Sequence, residues 1–275
     1  MLRVIINADD LGASQQVNDA IESCIKKGTI TSTTIIASGE SLKDASRIAK
    51  VYKGTISFGV HLTLDEFDSI THSPILYRYG LTDNTGRFVK NGYKKVSRYS
   101  EELLTAIREE WDAQIKKIKT EGIDISHADG HHHCHTYFQL KGVLLEVLRA
   151  NGINKVRLPQ SRTFYMRVKG INRPSIKNNT QLAYMKGSKK TSFLRAVMGS
   201  FKDYWTLSWY KTHFKTVDFF SSASFMQTHK AFLKEYYPNY TVELMCHPGH
   251  PNYEEETVAL NGMCEDCSKI NYCQL

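Results

Sequence analysis

Between residues 3 and 158 the chain alternates five times between a short, largely β-branched run and a longer stretch of helical period. That alternation specifies parallel strands joined by helical crossovers, because a strand buried on both faces needs helices to cover it. Strands are predicted over 3–8, 29–38, 55–62, 123–128 and 155–158. Ser14 is placed to cap a first helix whose apolar positions Val17, Ala20, Ile21, Cys24 and Ile25 share a face, and Gly28 ends it. Residues 41–53 read as a second helix. Ser100 precedes the strongest stripe, Leu103, Leu104, Ile107, Trp111, Ile115 and Ile118, closed by Gly122. Leu140, Val143, Leu144, Val147 and Leu148 mark another helix, stopped by Gly152, whereas 65–99 lacks a sustained period and reads as a loop excursion. Regularity returns at 216–225 and 241–246.

Four of these strands stop at side chains that bind metals or move protons: Asp9-Asp10, His61, the run Asp129-Gly130-His131-His132-His133-Cys134-His135, and His247. Parallel α/β folds gather ligands at the carboxyl ends of their strands, so residues distant in sequence can meet there. The histidine run packs four of the chain's eleven histidines into five positions. An extended backbone would put His131, His133 and His135 on one face, and a helix His131 and His135. Aspartate with imidazole suits one hard-to-borderline divalent ion, magnesium or zinc first, with manganese, nickel and cobalt as alternatives, rather than an iron–sulfur cluster. One carboxylate and two imidazoles leave coordination positions for water and substrate, which points to hydrolysis. An adjacent carboxylate would take the water's proton and a histidine across the site would protonate the leaving group.

Six scattered cysteines in 275 residues make no disulfide framework, and the first residues run into Asn7 and two aspartates without a signal-peptide pattern, so a reduced, cytoplasmic protein is expected. Cys264-x-x-Cys267 with Cys273 lacks a partner pair, so residues 263–275 read either as a cysteine-bearing mobile tail or as a small zinc site. The net charge of +8 is concentrated in residues 160–215, where twelve lysines and arginines face Asp203 alone, leaving the rest of the chain net acidic. Tyr165, Tyr184, Phe193, Phe201, Tyr204, Trp205, Trp209 and Tyr210 interleave with those cations. The segment is read as a basic insertion, a lid or dimer arm, or a contact for an anionic or lipid-linked glycan or a membrane surface. Nucleic acid ranks last because no reader motif accompanies the charge.

The chain resembles the YdjC-like carbohydrate deacetylases, the family of the chitooligosaccharide deacetylases, through Asn7-Ala8-Asp9-Asp10-Leu11-Gly12, Asn18, Thr31-Ser32-Thr33, Gly59-Val60-His61-Leu62, the histidine run, Val156-Arg157 and Glu243-Leu244-Met245-Cys246-His247-Pro248-Gly249. The resemblance implies a deformed (β/α) TIM-like barrel, here a single domain over 1–275, and metal-dependent hydrolysis of N-acetyl groups on amino sugars in oligosaccharides. It implies Asp10, His61 and His131 as metal ligands, Asp9 as general base and His247 as acid, with the two aspartates open to exchange. His133 and His135 then face the substrate or support the ligands, Asp129 orients an imidazole, and Arg157 donates to the sugar or forms a strand-end ion pair. The partner implied is an acetylated amino sugar, with a homodimer among the assemblies open to the family. Hydrolysis of another bond, such as a phosphoester on an anionic glycan, and a non-catalytic basic binding protein are the competing readings. The acidic stretch 64–70 lacks the glycine and proline of the family's substrate loop.

Overall fold

The computed structural model describes residues 1–161, 193–253, 256, 260 and 266–275. Strands β1 (Arg3–Leu11), β2 (Ser32–Ile35), β3 (Ser57–Leu62), β4 (Ala128–Gly130), β5 (Phe219–Ser222) and β6 (Thr241–Cys246) lie parallel in the order β4-β3-β2-β1-β6-β5. The short β7 (Ser268–Lys269) pairs with β1. Parallel bridges Ala128↔Val156 and Lys155↔Lys215 continue the sheet from β4 toward the run into β5, so it curls into the deformed (β/α) TIM-like barrel expected.

The helices begin where the capping residues direct. Ser14 Oγ accepts from Val17 N at the start of α1 (Gln15–Lys26), and α2 (Leu42–Val51) follows. The 65–99 excursion contains two short helices, α3 (Pro74–Arg78) and α4 (Gly92–Lys95). Ser100 Oγ accepts from Leu103 N to open α5 (Glu101–Thr120), whose Leu103, Ile107, Trp111, Ile115 and Ile118 are wholly buried. Each such side chain contributes roughly 1.5–3 kcal/mol, so this helix holds firmly whatever is bonded to it. Buried Gln114 grips both backbone groups of Thr63, and Glu110 accepts from the backbone of Ile70 and Thr71. The acidic loop after β3 is thereby fixed rather than free. Helices α6 (Lys141–Ala150), α7 (Phe193–His213) and α8 (Ala223–Tyr236) complete the set used below.

Several elements depart from the sequence reading. The fourth strand pairs at Ala128–Gly130 rather than over 123–128, and 155–158 contributes single bridges instead of a full strand. Within 216–225 the strand is confined to Phe219–Ser222, after which α8 starts. Much of the basic segment falls on residues 162–192, outside the described residues; its remainder forms α7. Of the expected mobile tail, 266–275 is docked: Tyr272 is fully buried, donates to Glu243 Oε2 at 2.5 Å and stacks on His127 at 3.8 Å. Cys264 lies outside the described residues.

The barrel interior is polar. Asn7, Ser32, Thr34, His127, Asp129, Arg157 and Glu243 are all inaccessible to solvent, and they satisfy one another. Most buried polar groups are bonded in this way, and a fully paired set favours one arrangement of the strand ends above it.

Candidate active site

Two consecutive strand residues normally point to opposite faces, yet Asp9 and Asp10 both belong to this site. The β1–β2 ladder slips between Ala8 and Leu11, and Asp10 takes φ 71°, a left-handed conformation uncommon outside glycine. The bulge sends Asp9 into the polar interior and Asp10 to the rim. His132 (φ 47°) and His133 (φ 59°) sit in the same strained region within the short 3-10 turn His131–Thr136, directly after β4. Gly130 is required at that corner, since a Cβ there would come within 2.9 Å of Cys134 Sγ.

Asp10 Oδ1 lies 3.3 Å from His61 Nε2 and 3.0 Å from His131 Nδ1. The other nitrogen of His61 is held by Asp129 Oδ1 at 2.6 Å, and the other nitrogen of His131 by Glu66 Oε2 at 3.0 Å. His61 thus has one nitrogen fixed from behind and the other aimed at Asp10, the arrangement by which an outer carboxylate orients a metal-binding imidazole. Burial opposes charge on Asp10, but hydrogen bonds from His131 and His61 hold its carboxyl well below the usual range. Burial likewise opposes protonation of the two imidazoles; Asp129 and Asp10 nevertheless raise His61 well above its ordinary value, and Asp10 and Glu66 lift His131 to about 9. Each imidazole therefore carries a proton where a cation could take the lone pair.

The ligand atoms of Asp10, His61 and His131 all lie within 4.8 Å of one another, and all three residues are wholly or mostly buried. Two other acid–histidine groups of similar size exist among the described residues. Asp9, His61 and Asp129 form one, but the Arg157 guanidinium already neutralises both of its carboxylates. Asp65, His131 and His132 form the other, with His132 exposed to solvent. One carboxylate and two imidazoles at Asp10, His61 and His131 fit a divalent ion best.

Asp9 sits beside this cluster in a different environment. Arg157 Nη1 and Nη2 donate to its two oxygens at 2.7 Å each, and Asn7 Nδ2 donates to Oδ1 at 2.8 Å. Against burial, the guanidinium holds the Asp9 carboxyl far below its usual range. The same guanidinium reaches Asp129 Oδ2 at 2.8 Å and Glu243 Oε1 at 2.7 Å. Arg157, expected to meet the sugar or a surface partner, is instead fully buried beneath Asp9, with its fork occupied by three carboxylates. Glu243 is lifted by burial to about 7 even with that partner.

His247 follows β6 with Nε2 3.9 Å from Asp9 Oδ2, while Glu256 Oε2 accepts at its Nδ1 (3.1 Å) and its backbone N–H (3.0 Å). Burial lowers its affinity for a proton, but Glu256 and Asp9 more than restore it, leaving the value raised. His133 is half-buried, edge-on to Phe220, and burial with the nearby Arg157 charge lowers it to about 3. His135 is fully buried, and neither ring nitrogen has a partner among the described residues. Its burial places it behind the turn, out of a substrate's reach.

Sequence reasoning passed over Glu66, Glu256, Thr34, Tyr272 and the pairing of Glu243 with Arg157. That last signal was present: Glu243 is the lone charge of the predicted strand 241–246 and Arg157 a charge within 155–158, and buried charges require partners.

A parallel α/β barrel carrying an aspartate–histidine cluster of metal-binding geometry at the carboxyl ends of its strands is thus defined by fold and site together. The family model described as YdjC-like protein matches residues 3–269, and the chain belongs to that family. Curated relatives include carbohydrate deacetylases of Oceanobacillus iheyensis, 32% identical over 54% of this chain and 61% of that protein, and of Listeria welshimeri, 37% identical over 48% and 51%. The alignments thus span about half to three-fifths of these relatives. An Enterococcus faecalis crystal structure, described as that of a proposed cellobiose-phosphate cleavage protein, superposes with a TM-score of 0.70 at 21% identity, covering 99% of this chain and 98% of the other, and supports the fold.

Proposed function

We propose that the protein is a metal-dependent hydrolase that removes N-acetyl groups from acetylated amino sugars. The observation that carries this reading is the placing of Asp9 and His247 3.9 Å apart, beside the convergent Asp10, His61 and His131. The deacetylase names of the relatives support the choice of bond.

Asp10, His61 and His131 would hold the ion, which when bound supplies Lewis acidity toward the acetyl oxygen and acidifies a water. Asp9 accepts a proton from the attacking water as its oxygen joins the acyl carbon. Arg157 keeps that carboxylate ionised and aligned until then. His247, its proton affinity raised by Glu256 and Asp9 and its ring oriented through Nδ1 by Glu256, delivers its Nε2 proton to the nitrogen as the C–N bond breaks. Acetate and a free amine leave. Asp129 and Thr34 fix His61, 2.6 and 3.2 Å from its Nδ1, so that its Nε2 faces the cluster.

Acetate release from acetylated amino-sugar oligosaccharides tests the assignment. Asp9→Asn and His247→Ala should each slow it by about 10²–10⁴-fold, the usual worth of a positioned acid or base, while metal content is kept. Release of phosphate in place of acetate, or unchanged rates in both variants, would overturn it.

A further inference from the structure

Among the described residues eight large apolar or aromatic side chains are strongly exposed, and four of them belong to α7 and the segment just before α6. Phe201, Tyr204 and Trp205 stand on one face of α7, 67, 70 and 62% exposed, and Phe138 joins them at 54% from the segment before α6. Phe138, Phe201, Trp205 and Trp209 line a common groove of about 130 Å³ together with Lys141 and Lys202. Lys141 Nζ lies 4.3 Å from the centre of the Phe138 ring and 5.4 Å from that of Trp209. Among the described residues no carboxylate lines this groove.

We infer that this face of α7 docks the protein on an anionic lipid bilayer, with the aromatic side chains seated at the headgroup level and the lysines on lipid phosphates. Tryptophan, tyrosine and lysine are the residues favoured at that boundary, where a ring needs one apolar and one wet side. The charge is complementary to a phosphate surface, since Lys141 and Lys202 border the rings and Asp203 is the one acid of a helix that also carries Arg195, Lys202 and Lys211. The helix would lie along the surface: no helix among the described residues is long and apolar enough to cross a membrane.

Position brings this surface near the turn His131–Thr136 that follows β4. A cleft of about 700 Å³ runs from His132 and His133 to the same wall, sharing Phe138, Lys202, Thr136 and Thr206 with the aromatic groove. A glycan carried on a lipid could enter this cleft while its anchor stays in the bilayer under α7. That extension to substrate class rests on the deacetylase reading; the docking itself does not.

Full-length protein is sedimented with phosphatidylcholine vesicles, with and without phosphatidylglycerol. Binding is expected only to the anionic vesicles, with a blue shift in tryptophan emission and weakening in high salt. Combined Phe201→Ser, Tyr204→Ser and Trp205→Ser substitution should reduce binding by about tenfold or more. It should leave the melting temperature and acetate release from soluble sugars unchanged, because the three side chains face solvent. No binding to anionic vesicles, equal binding to neutral ones, or a concentration-dependent dimer that the triple variant dissociates would each overturn the proposal. Vesicle binding without acetate release from any substrate would leave the docking standing and remove the deacetylase reading.

Discussion

Replacing Arg157 by lysine keeps the positive charge in the barrel and removes the fork. The guanidinium makes four contacts of 2.7–2.8 Å, two to Asp9 and one each to Asp129 and Glu243. A single ammonium nitrogen cannot reach all three carboxylates and cannot bind Asp9 bidentately, so at least two charge-assisted hydrogen bonds are lost. At roughly 1.5–3 kcal/mol each, the cost is about 3–6 kcal/mol, a large part of the 5–15 kcal/mol that typically separates native from unfolded chains. Calorimetry should register a fall in melting temperature of order 10 °C. In the protein that remains folded, Asp9 loses the partner that depresses its proton affinity. The acid limb of kcat/KM should therefore move to higher pH. A melting temperature within about 2 °C of the parent, with an unmoved acid limb, would refute the idea that Arg157 holds Asp9 ionised.

Glu256→Gln should lower the proton affinity of His247, which Glu256 helps to raise, and so bring the alkaline limb of kcat/KM to lower pH; an unchanged limb would show that Glu256 does not act through His247. Metal-free protein should lose stability on acidification. His127, His133 and His135 are held below their ordinary values by burial, so the unfolded chain takes up three protons below about pH 6.5 that the native one refuses, while Glu243, raised to about 7, takes one back. The net two protons amount to a loss of about 3 kcal/mol per pH unit between roughly pH 6 and 5, measurable by denaturant titration at each pH. A flat profile in that window would mean that these imidazoles are solvated.

The strand ends were legible because parallel topology forces them together: Asp9-Asp10 after the first apolar run, His61 after the third, His247 after 241–246. Spacing and chain order also brought out the histidine run and the family pattern. What could not be read were tertiary pairings. Glu66 reaches His131 from a loop whose backbone at Thr63, Ile70 and Thr71 is bonded by Gln114 and Glu110 of α5, and Arg157 finds Asp9, Asp129 and Glu243 on three different strands. The fourth strand was misplaced because Ile123 and Ile125 alternate with polar residues as a strand would, while the ladder pairs Val60 with Ala128 and Leu62 with Gly130. Helix α7 escaped notice because it carries rings on both faces: Tyr210 is buried beneath the helix while Phe201, Tyr204 and Trp205 look outward, so no single apolar stripe stands out.

The most direct test is the metal content of the purified chain after saturation with magnesium, zinc or manganese and removal of free ion. One tightly held ion per chain is expected in the parent and in Asp9→Asn, and its loss in Asp10→Ala, His61→Ala and His131→Ala. A parent that retains none of these ions, or three alanine variants that bind as the parent does, would contradict the metal centre on which the proposed chemistry stands.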